Sequence, residues 1–146
     1  MKKFLVINGP NMNMLGIREP SIYGSESYQS LILSLNEYGK TNGVEVIHKQ
    51  SNHEGDIIDY IQEAYFGKVD GIVINPAGYT HTSVAILDAL KSTGIPTVEV
   101  HVSDIGKREG FRQVSYVSLY ARKVIAGHGV KGYLEALDYL LGKEGE

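Results

Sequence analysis

The sequence contains no cysteine among its 146 residues. Disulfides, thiolate metal sites and a cysteine nucleophile are therefore excluded, and the composition is compatible with a reducing cytoplasm. Long hydrophobic runs are missing as well. The first apolar run, residues 4–7, stops at Asn8, which makes it too short for the core of a signal peptide. No segment has the length and hydrophobicity of a membrane span, so we expect a cytoplasmic protein that does not bind membranes.

An excess of basic residues is also absent, because the formal net charge is −3. A basic surface that would attract nucleic acid is therefore not expected. The chain is 42% hydrophobic and 21% charged, which is typical of a globular protein. Its length suits a single domain over residues 1–146, and we expect residues 142–146 to form a disordered tail.

Apolar, β-branched runs alternate with amphipathic stretches along the chain. Strands are predicted at residues 3–8, 44–48, 71–75, 97–101 and 123–126, and helices at residues 26–41, 56–66, 83–92 and 133–141. Alternating strands and helices indicate a parallel sheet with helices on both faces. Right-handed crossovers between five strands favour a flavodoxin-like α/β fold with strand order 2-1-3-4-5.

Polar residues collect where the predicted strands end. The third strand runs into residues 75–83, a short turn that holds an Asn, a Tyr, a His and several hydroxyls. Polar segments also follow the first, second and fourth strands, and all four ends lie at one edge of a parallel sheet. Ligands bind at this edge in open α/β sheets, so we predict a small-molecule site there.

Two long connections interrupt the alternation, at residues 9–25 and 103–115, and long loops in compact domains are usually functional. The first places Arg18 and Tyr23 between glycines that would let the loop close over a ligand. A guanidinium lowers the pKa of a nearby phenol, so Tyr23 beside Arg18 is a candidate base. The alternative is that Tyr23 only packs against the body and Arg18 is a solvated charge.

The fourth strand carries Glu99 and His101, which alternation places on the same side of the strand. A carboxylate can fix which imidazole nitrogen bears the proton, an arrangement that suits a general acid or base. A hydrogen-bonded structural histidine at a strand end is the alternative.

Other polar residues near this edge have weaker signals. His81 lies near a helix start, where a structural role competes with ligand binding. Asp88 has the spacing of a solvated helix-face charge. Ser103 and the backbone N–H groups after the fourth strand are suited to grip a carboxylate, whereas Arg112 and its basic neighbours also fit a solvated charge run.

Six motifs together resemble the type II 3-dehydroquinate dehydratases, also called type II dehydroquinases. They comprise residues 8–16, 18–20 with 23–24, 50–55, 75–76 with 79–83, 99–103, and 108–109 with 111–112. The resemblance extends from Leu5 to about Tyr139. It implies a flavodoxin-like fold and dehydration of 3-dehydroquinate to 3-dehydroshikimate by anti elimination through an enolate. It further implies no metal, no cofactor and no imine, and a homododecamer built from trimers.

The resemblance also implies roles for individual residues. Tyr23 would be the base and Arg18 would support its charged state, while His101, oriented by Glu99, would protonate the departing hydroxyl. Asn11 would stabilise the enolate through a bound water. The residues implied in substrate binding are Asn75, His81, Arg112, the Val102 N–H with Ser103, and Asp88, which would come from a neighbouring subunit.

A few positions depart from the family pattern. The family commonly has Gly then Ala after Asn-Pro, whereas this chain has Ala77 and Gly78. The backbone dihedral freedom that glycine provides therefore moves by one residue. Asp104 stands where Asn is usual, and an ionised Asp104 near the substrate carboxylate would repel it. Ser27 replaces a Thr and can still cap the following helix.

Other functions remain open alternatives at this stage. A flavin module would need a hydroxyl- and Gly-rich phosphate loop after the first strand, and Pro10 removes a donor there. A phosphorelay receiver would need acidic residues where Asn8 and Asn75 stand. A Schiff-base dehydratase would need a desolvated lysine, for which Lys49 is the candidate near a strand end.

Overall fold

A computed structural model describes residues 1–17 and 26–143 of the chain. Five parallel strands form one sheet in the order β2-β1-β3-β4-β5. The strands are β1 (Lys3–Asn8), β2 (Glu45–Gln50), β3 (Gly71–Asn75), β4 (Thr97–His101) and β5 (Lys123–Ala126). The predicted flavodoxin-like order and the parallel direction are therefore confirmed.

Four α-helices cover the two faces of the sheet. They are α1 (Tyr28–Asn42), α2 (Glu54–Phe66), α3 (Val84–Thr93) and α4 (Lys131–Leu141). Alternate residues of each strand point to opposite faces. In β1, Phe4 and Val6 join a buried cluster with α1 and α4, whereas Leu5 and Ile7 join a second cluster with α2 and α3. The helices therefore flank the sheet on both sides, as predicted.

The strand predictions agree with the structure except at β2, which begins one residue later than predicted and ends at Gln50. Each helix start differs by one or two residues because the caps decide where a helix begins, whereas two helix ends, at residues 66 and 141, agree with the prediction. Ser27 lies in an extended conformation and accepts a hydrogen bond from the Ser30 N–H, so α1 begins at Tyr28. Ser27 thus caps the helix, as the sequence indicated.

Some predicted features lie outside the described residues. Arg18 and Tyr23 are among them, as are residues 144–146 of the predicted tail. The described part of the tail begins with Gly142, which ends α4 in a left-handed conformation with φ 86°. No helix within residues 1–17 and 26–143 is both long and apolar enough to cross a bilayer.

Short 3₁₀ helices occupy the segments that follow three of the strands. They lie at Met12–Met14 after β1, at Ala77–His81 after β3, and at Ile105–Lys107 and Gly110–Arg112 after β4. The sequence pattern did not predict these turns, because each is shorter than a hydrophobic repeat. They hold the polar residues of the carboxyl edge in fixed positions.

Candidate active site

A cavity of about 240 Å³ opens at the carboxyl edge of the sheet, between the ends of β1, β3 and β4. β1 and β3 flank the point where the strand order reverses, which is where ligands bind in open α/β sheets. The residues that line the cavity are Pro10, Asn11, Met12, Met14, Leu15, Asn75, Ala77, Gly78, His81, His101, Val102, Ser103, Ile105, Arg108 and Arg112. This volume suits a small polar molecule rather than a drug-sized ligand.

Most of the predicted site residues that the structure describes meet in this cavity. Those on the wall are Asn11, Asn75, His81, His101, Val102, Ser103 and Arg112. Glu99 lies directly behind His101, with no exposed surface. Asp88 is exposed on α3 and is not part of the cavity wall.

Asn11 is held in an unusual backbone conformation beside the cavity. Its φ is 71°, in the left-handed region that asparagine tolerates better than most residues. Its N–H donates to the side-chain oxygen of Asn52 at 3.0 Å, and that oxygen also accepts from Gln50 Nε2 at 3.2 Å. The loop after β2 therefore fixes the loop after β1.

Asn75 belongs to a buried network beneath the cavity. Its Nδ2 donates to the hydroxyl of Tyr133 at 3.0 Å, and that hydroxyl donates in turn to Asn8 Oδ1. Burial raises the pKa of Tyr133, so the phenol stays protonated and able to donate. Asn75 Oδ1 accepts from the Ala77 N–H at 3.0 Å. These bonds fix the orientation of the Asn75 amide.

His81 has one nitrogen occupied by the backbone. Its Nδ1 lies 2.7 Å from the carbonyl oxygen of Val114. A carbonyl only accepts, so Nδ1 carries the proton, and the Nε2 of the neutral ring is an acceptor.

Glu99 and His101 form a hydrogen-bonded pair between Glu99 Oε2 and His101 Nε2. The hydroxyls of Ser115 and Ser118 donate to Oε2 and Oε1 at 2.7 and 2.5 Å. Burial opposes ionisation of Glu99, but the hydrogen bond and charge of His101 and the two hydroxyls outweigh it. The pKa of this carboxyl is therefore held below its ordinary value.

The segment after β4 supplies the cationic side of the cavity. Arg108 donates to Ser103 Oγ at 3.2 Å, and the Arg112 guanidinium lies 5.0 Å from the ring of Phe111 and 2.6 Å from Glu109. Asp104 accepts from the Gly106 N–H at 3.0 Å and is not part of the cavity wall. The Asp104 carboxylate therefore stabilises the turn that it begins.

Sequence reasoning missed several features of the site. Ser115 and Ser118 gave no signal, because their role depends on the burial of Glu99 rather than on a local pattern. The apolar wall formed by Met12, Met14 and Leu15 also escaped notice. Lys49 lines a different cavity, with its ammonium 5.8 Å from the Tyr60 ring centroid.

The fold and the site define an α/β protein with a polar, partly cationic small-molecule pocket at the switch point of its sheet. Residues 2–141 match the family model described as "Dehydroquinase class II". The 3-dehydroquinate dehydratase of Caldicellulosiruptor bescii is 55% identical over 137 residues, which cover 94% of each chain. That of Clostridium perfringens (strain ATCC 13124) is 52% identical and is matched over 98% of its length, with 97% of this chain covered.

Solved structures agree with this result. The type II dehydroquinase of Butyrivibrio crossotus has a TM-score of 0.94 and 54% identity, covering 97% of this chain and 98% of that one. The type II dehydroquinase of Propionibacterium acnes has a TM-score of 0.90 and 43% identity, with 96% of each chain covered. The chain therefore belongs to the class II dehydroquinase family. Family membership makes the protein an enzyme of the hydro-lyase class.

Proposed function

We propose that the protein dehydrates 3-dehydroquinate to 3-dehydroshikimate, a step of the shikimate pathway, by anti elimination through an enolate. The observation that carries this proposal is the buried Glu99–His101 pair opening into a polar cavity in a chain of this family. The scheme uses neither a metal nor an imine.

The first step is removal of the proton α to the ketone by Tyr23. A free phenol has a pKa of about 10, so the base needs help at neutral pH. Arg18 provides it, because a neighbouring guanidinium favours the phenolate. The electron pair released from the C–H bond forms the enolate.

The enolate then needs a stabilising group, because an α-proton is only weakly acidic. Asn11 serves this role through a bound water. The hydrogen bond from its backbone to Asn52 supports the proposal, because it holds Asn11 at the cavity wall before the substrate binds.

In the second step the enolate collapses and expels the β-hydroxyl, which takes a proton from His101. Glu99 is ionised and accepts from Nε2–H, so Nδ1 of the imidazolium is the nitrogen that donates to the leaving group. Before the next turnover the base loses its proton to solvent and His101 takes one up from solvent, so the net change is loss of water.

The substrate carboxylate is bound by the Val102 N–H, Ser103 and Arg112. The cationic lining of this side supports the assignment. Asn75 and His81 bind substrate hydroxyls. Asn75 Nδ2 makes only a long 3.5 Å contact with Met12 Sδ on one side, so a hydroxyl would displace a weak partner. His81 Nε2 would accept from a second hydroxyl.

The protein is proposed to act in the cytoplasm as a homododecamer, a tetramer of trimers, in which Asp88 reaches the site of a neighbouring subunit. The exposure of Asp88 away from its own cavity supports this role. Light scattering coupled to size-exclusion chromatography tests it, and a monomeric, fully active protein would contradict it.

The reaction is tested by absorbance in the enone band as 3-dehydroquinate is added to wild type, Tyr23→Phe and His101→Ala. We expect turnover in the wild type and a loss of at least about a hundredfold in each variant, the usual range for a general acid or base. Turnover in Tyr23→Phe at the wild-type rate would remove Tyr23 as the base.

A matched control separates this mechanism from a Schiff base. Lys49→Ala should turn over normally, and borohydride added with the substrate should leave the wild type unmodified. Covalent reduction onto Lys49 would overturn the enolate mechanism.

A further inference from the structure

The Glu99 carboxylate has more partners than the histidine that the reaction requires. It is completely buried, and two serine hydroxyls donate to it, one to each oxygen. Ser115 lies just before the 3₁₀ helix Val117–Leu119, and Ser118 lies within it. The segment that carries both serines, residues 115–118, is not among the residues that line the cavity.

We propose that Ser115 and Ser118 are positioning residues of the reaction, which hold Glu99 in its ionised form and in the orientation that presents His101 to the substrate. This inference rests on the proposed function of His101. Neither serine contacts the substrate, and both act only through Glu99.

The segment that carries the serines is anchored at two points. Val117 is completely buried in the core, and the Tyr116 N–H donates to the carbonyl of Thr80 at 3.2 Å. The Ser118 N–H donates to Ser115 Oγ at 3.3 Å, which links the backbone of one serine to the hydroxyl of the other. These contacts hold the backbone of the segment in place beside Glu99, as positioning requires.

The chemistry of the pair explains why the hydroxyls matter. A buried carboxylate competes with the imidazole for the proton that they share. Hydroxyl donors favour the state with a charged Glu99 and a doubly protonated His101, which is the stronger acid toward the substrate. Without them the shared proton shifts to Glu99, and the imidazole left behind is a weaker acid.

Among residues 1–17 and 26–143, His101 is the titratable group that lowers the pKa of Glu99. Ser115 and Ser118 are its neutral partners, from the segment packed against β4. Removing their hydrogen bonds should raise the pKa of Glu99, so that the shared proton moves from His101 to Glu99 and kcat falls.

The test compares Ser118→Thr with Ser118→Val, because threonine and valine have the same shape and differ in the hydroxyl. Ser118 is exposed, so both variants should fold. We expect Ser118→Val to lose roughly tenfold in kcat with KM nearly unchanged. Ser118→Thr should retain the wild-type kcat, and the double variant Ser115→Val with Ser118→Val should lose more kcat than either single variant.

Two outcomes would overturn the positioning role. One is an equal loss in the Thr and Val variants, which would indicate a purely steric effect. The other is a Ser118→Val enzyme with unchanged kcat. His101→Ala and Glu99→Gln are measured in parallel: an active His101→Ala enzyme would instead refute the proposed acid, whatever the serine variants show. Unfolding midpoints verify that each variant is folded.

Discussion

Ala77 has the most costly backbone conformation on the cavity wall. Its φ is 54°, whereas Gly78 beside it has no atom of residues 1–17 and 26–143 within 4 Å of the position where a Cβ would stand. The left-handed region costs a residue with a Cβ about 1–2 kcal/mol, and glycine adopts it freely. The order Ala77-Gly78 is therefore less stable in this turn than the order Gly-Ala would be.

Exchanging the two residues should stabilise the protein. The double variant Ala77→Gly with Gly78→Ala moves a glycine without adding one, so the entropy of the unfolded chain is nearly unchanged. We expect the free energy of unfolding to rise by about 1 kcal/mol, measured by urea denaturation. The single variant Gly78→Ala is the control and should gain about 0.5 kcal/mol. A destabilised double variant would mean that the turn depends on the Ala77 methyl group.

The ionised state of Glu99 should appear in the pH dependence of stability. The folded state lowers the pKa of this carboxyl below its ordinary value. Its contribution is therefore fully present above the unfolded pKa and is lost as the pH falls through the lower folded value. Glu99→Gln should remove this part of the dependence. Urea denaturation of both proteins between about pH 3 and 7 measures it, and parallel stability curves would contradict the shift.

At the scale of the element, α3 shows how a helix start is tied to its neighbour. Ser83 Oγ accepts from the Ile86 N–H at 3.0 Å and donates to Glu54 in the first turn of α2. One hydroxyl thus caps one helix and holds the carboxylate of another.

Ser83→Ala should destabilise the protein by about 1–2 kcal/mol, because it removes a cap and leaves Glu54 without this donor. Ser92→Ala in the last turn of the same helix is the matched control, since Ser92 donates only to the exposed carbonyl of Asp88. Thermal unfolding of the two variants compares them. Equal shifts would show that capping is not the source of the effect.

The sequence predicted elements whose signal is local and periodic. Buried runs of β-branched residues identified β1, β3, β4 and β5 to the residue. Helix starts were less predictable, because a serine such as Ser83 fits equally well as a cap or as the first helical residue until the backbone is known. The 3₁₀ turns are too short to show a period.

The site was predictable to the extent that topology determines it. Once the strands are parallel, Asn75 and His101 must lie at the same edge, and the cavity contains both. Tertiary partners left no such signal. The contact of Tyr133 with Asn8 spans 125 positions in the sequence, and only the folded chain brings the two residues together.

At the scale of the whole molecule, Tyr133 joins the last helix to β1 and β3, two of the inner strands. Its hydroxyl contacts Asn8 at the end of β1 and Asn75 at the end of β3, and its side chain is completely buried. The floor of the cavity therefore depends on the docking of α4.

Tyr133→Phe should lower the free energy of unfolding by about 1–3 kcal/mol, because it leaves two buried amides without their shared partner. It should also raise KM, since the Asn75 amide loses its orientation. Tyr65→Phe is the control: that ring is 55% exposed and should tolerate the change. Denaturation and steady-state kinetics measure the two effects, and a wild-type Tyr133→Phe enzyme would show that the network is dispensable.

The position of the cavity relative to the strand order has a consequence for hydrogen exchange. β1, β3 and β4 each have a strand on both sides, whereas β2 and β5 are edges. Amide protons in the inner strands are expected to exchange only when the whole chain opens, and those at the edges to exchange by local fraying. The cavity stands on the ends of the inner three strands. Its backbone frame should therefore persist until global unfolding, so that heat abolishes the binding site and the fold in a single event.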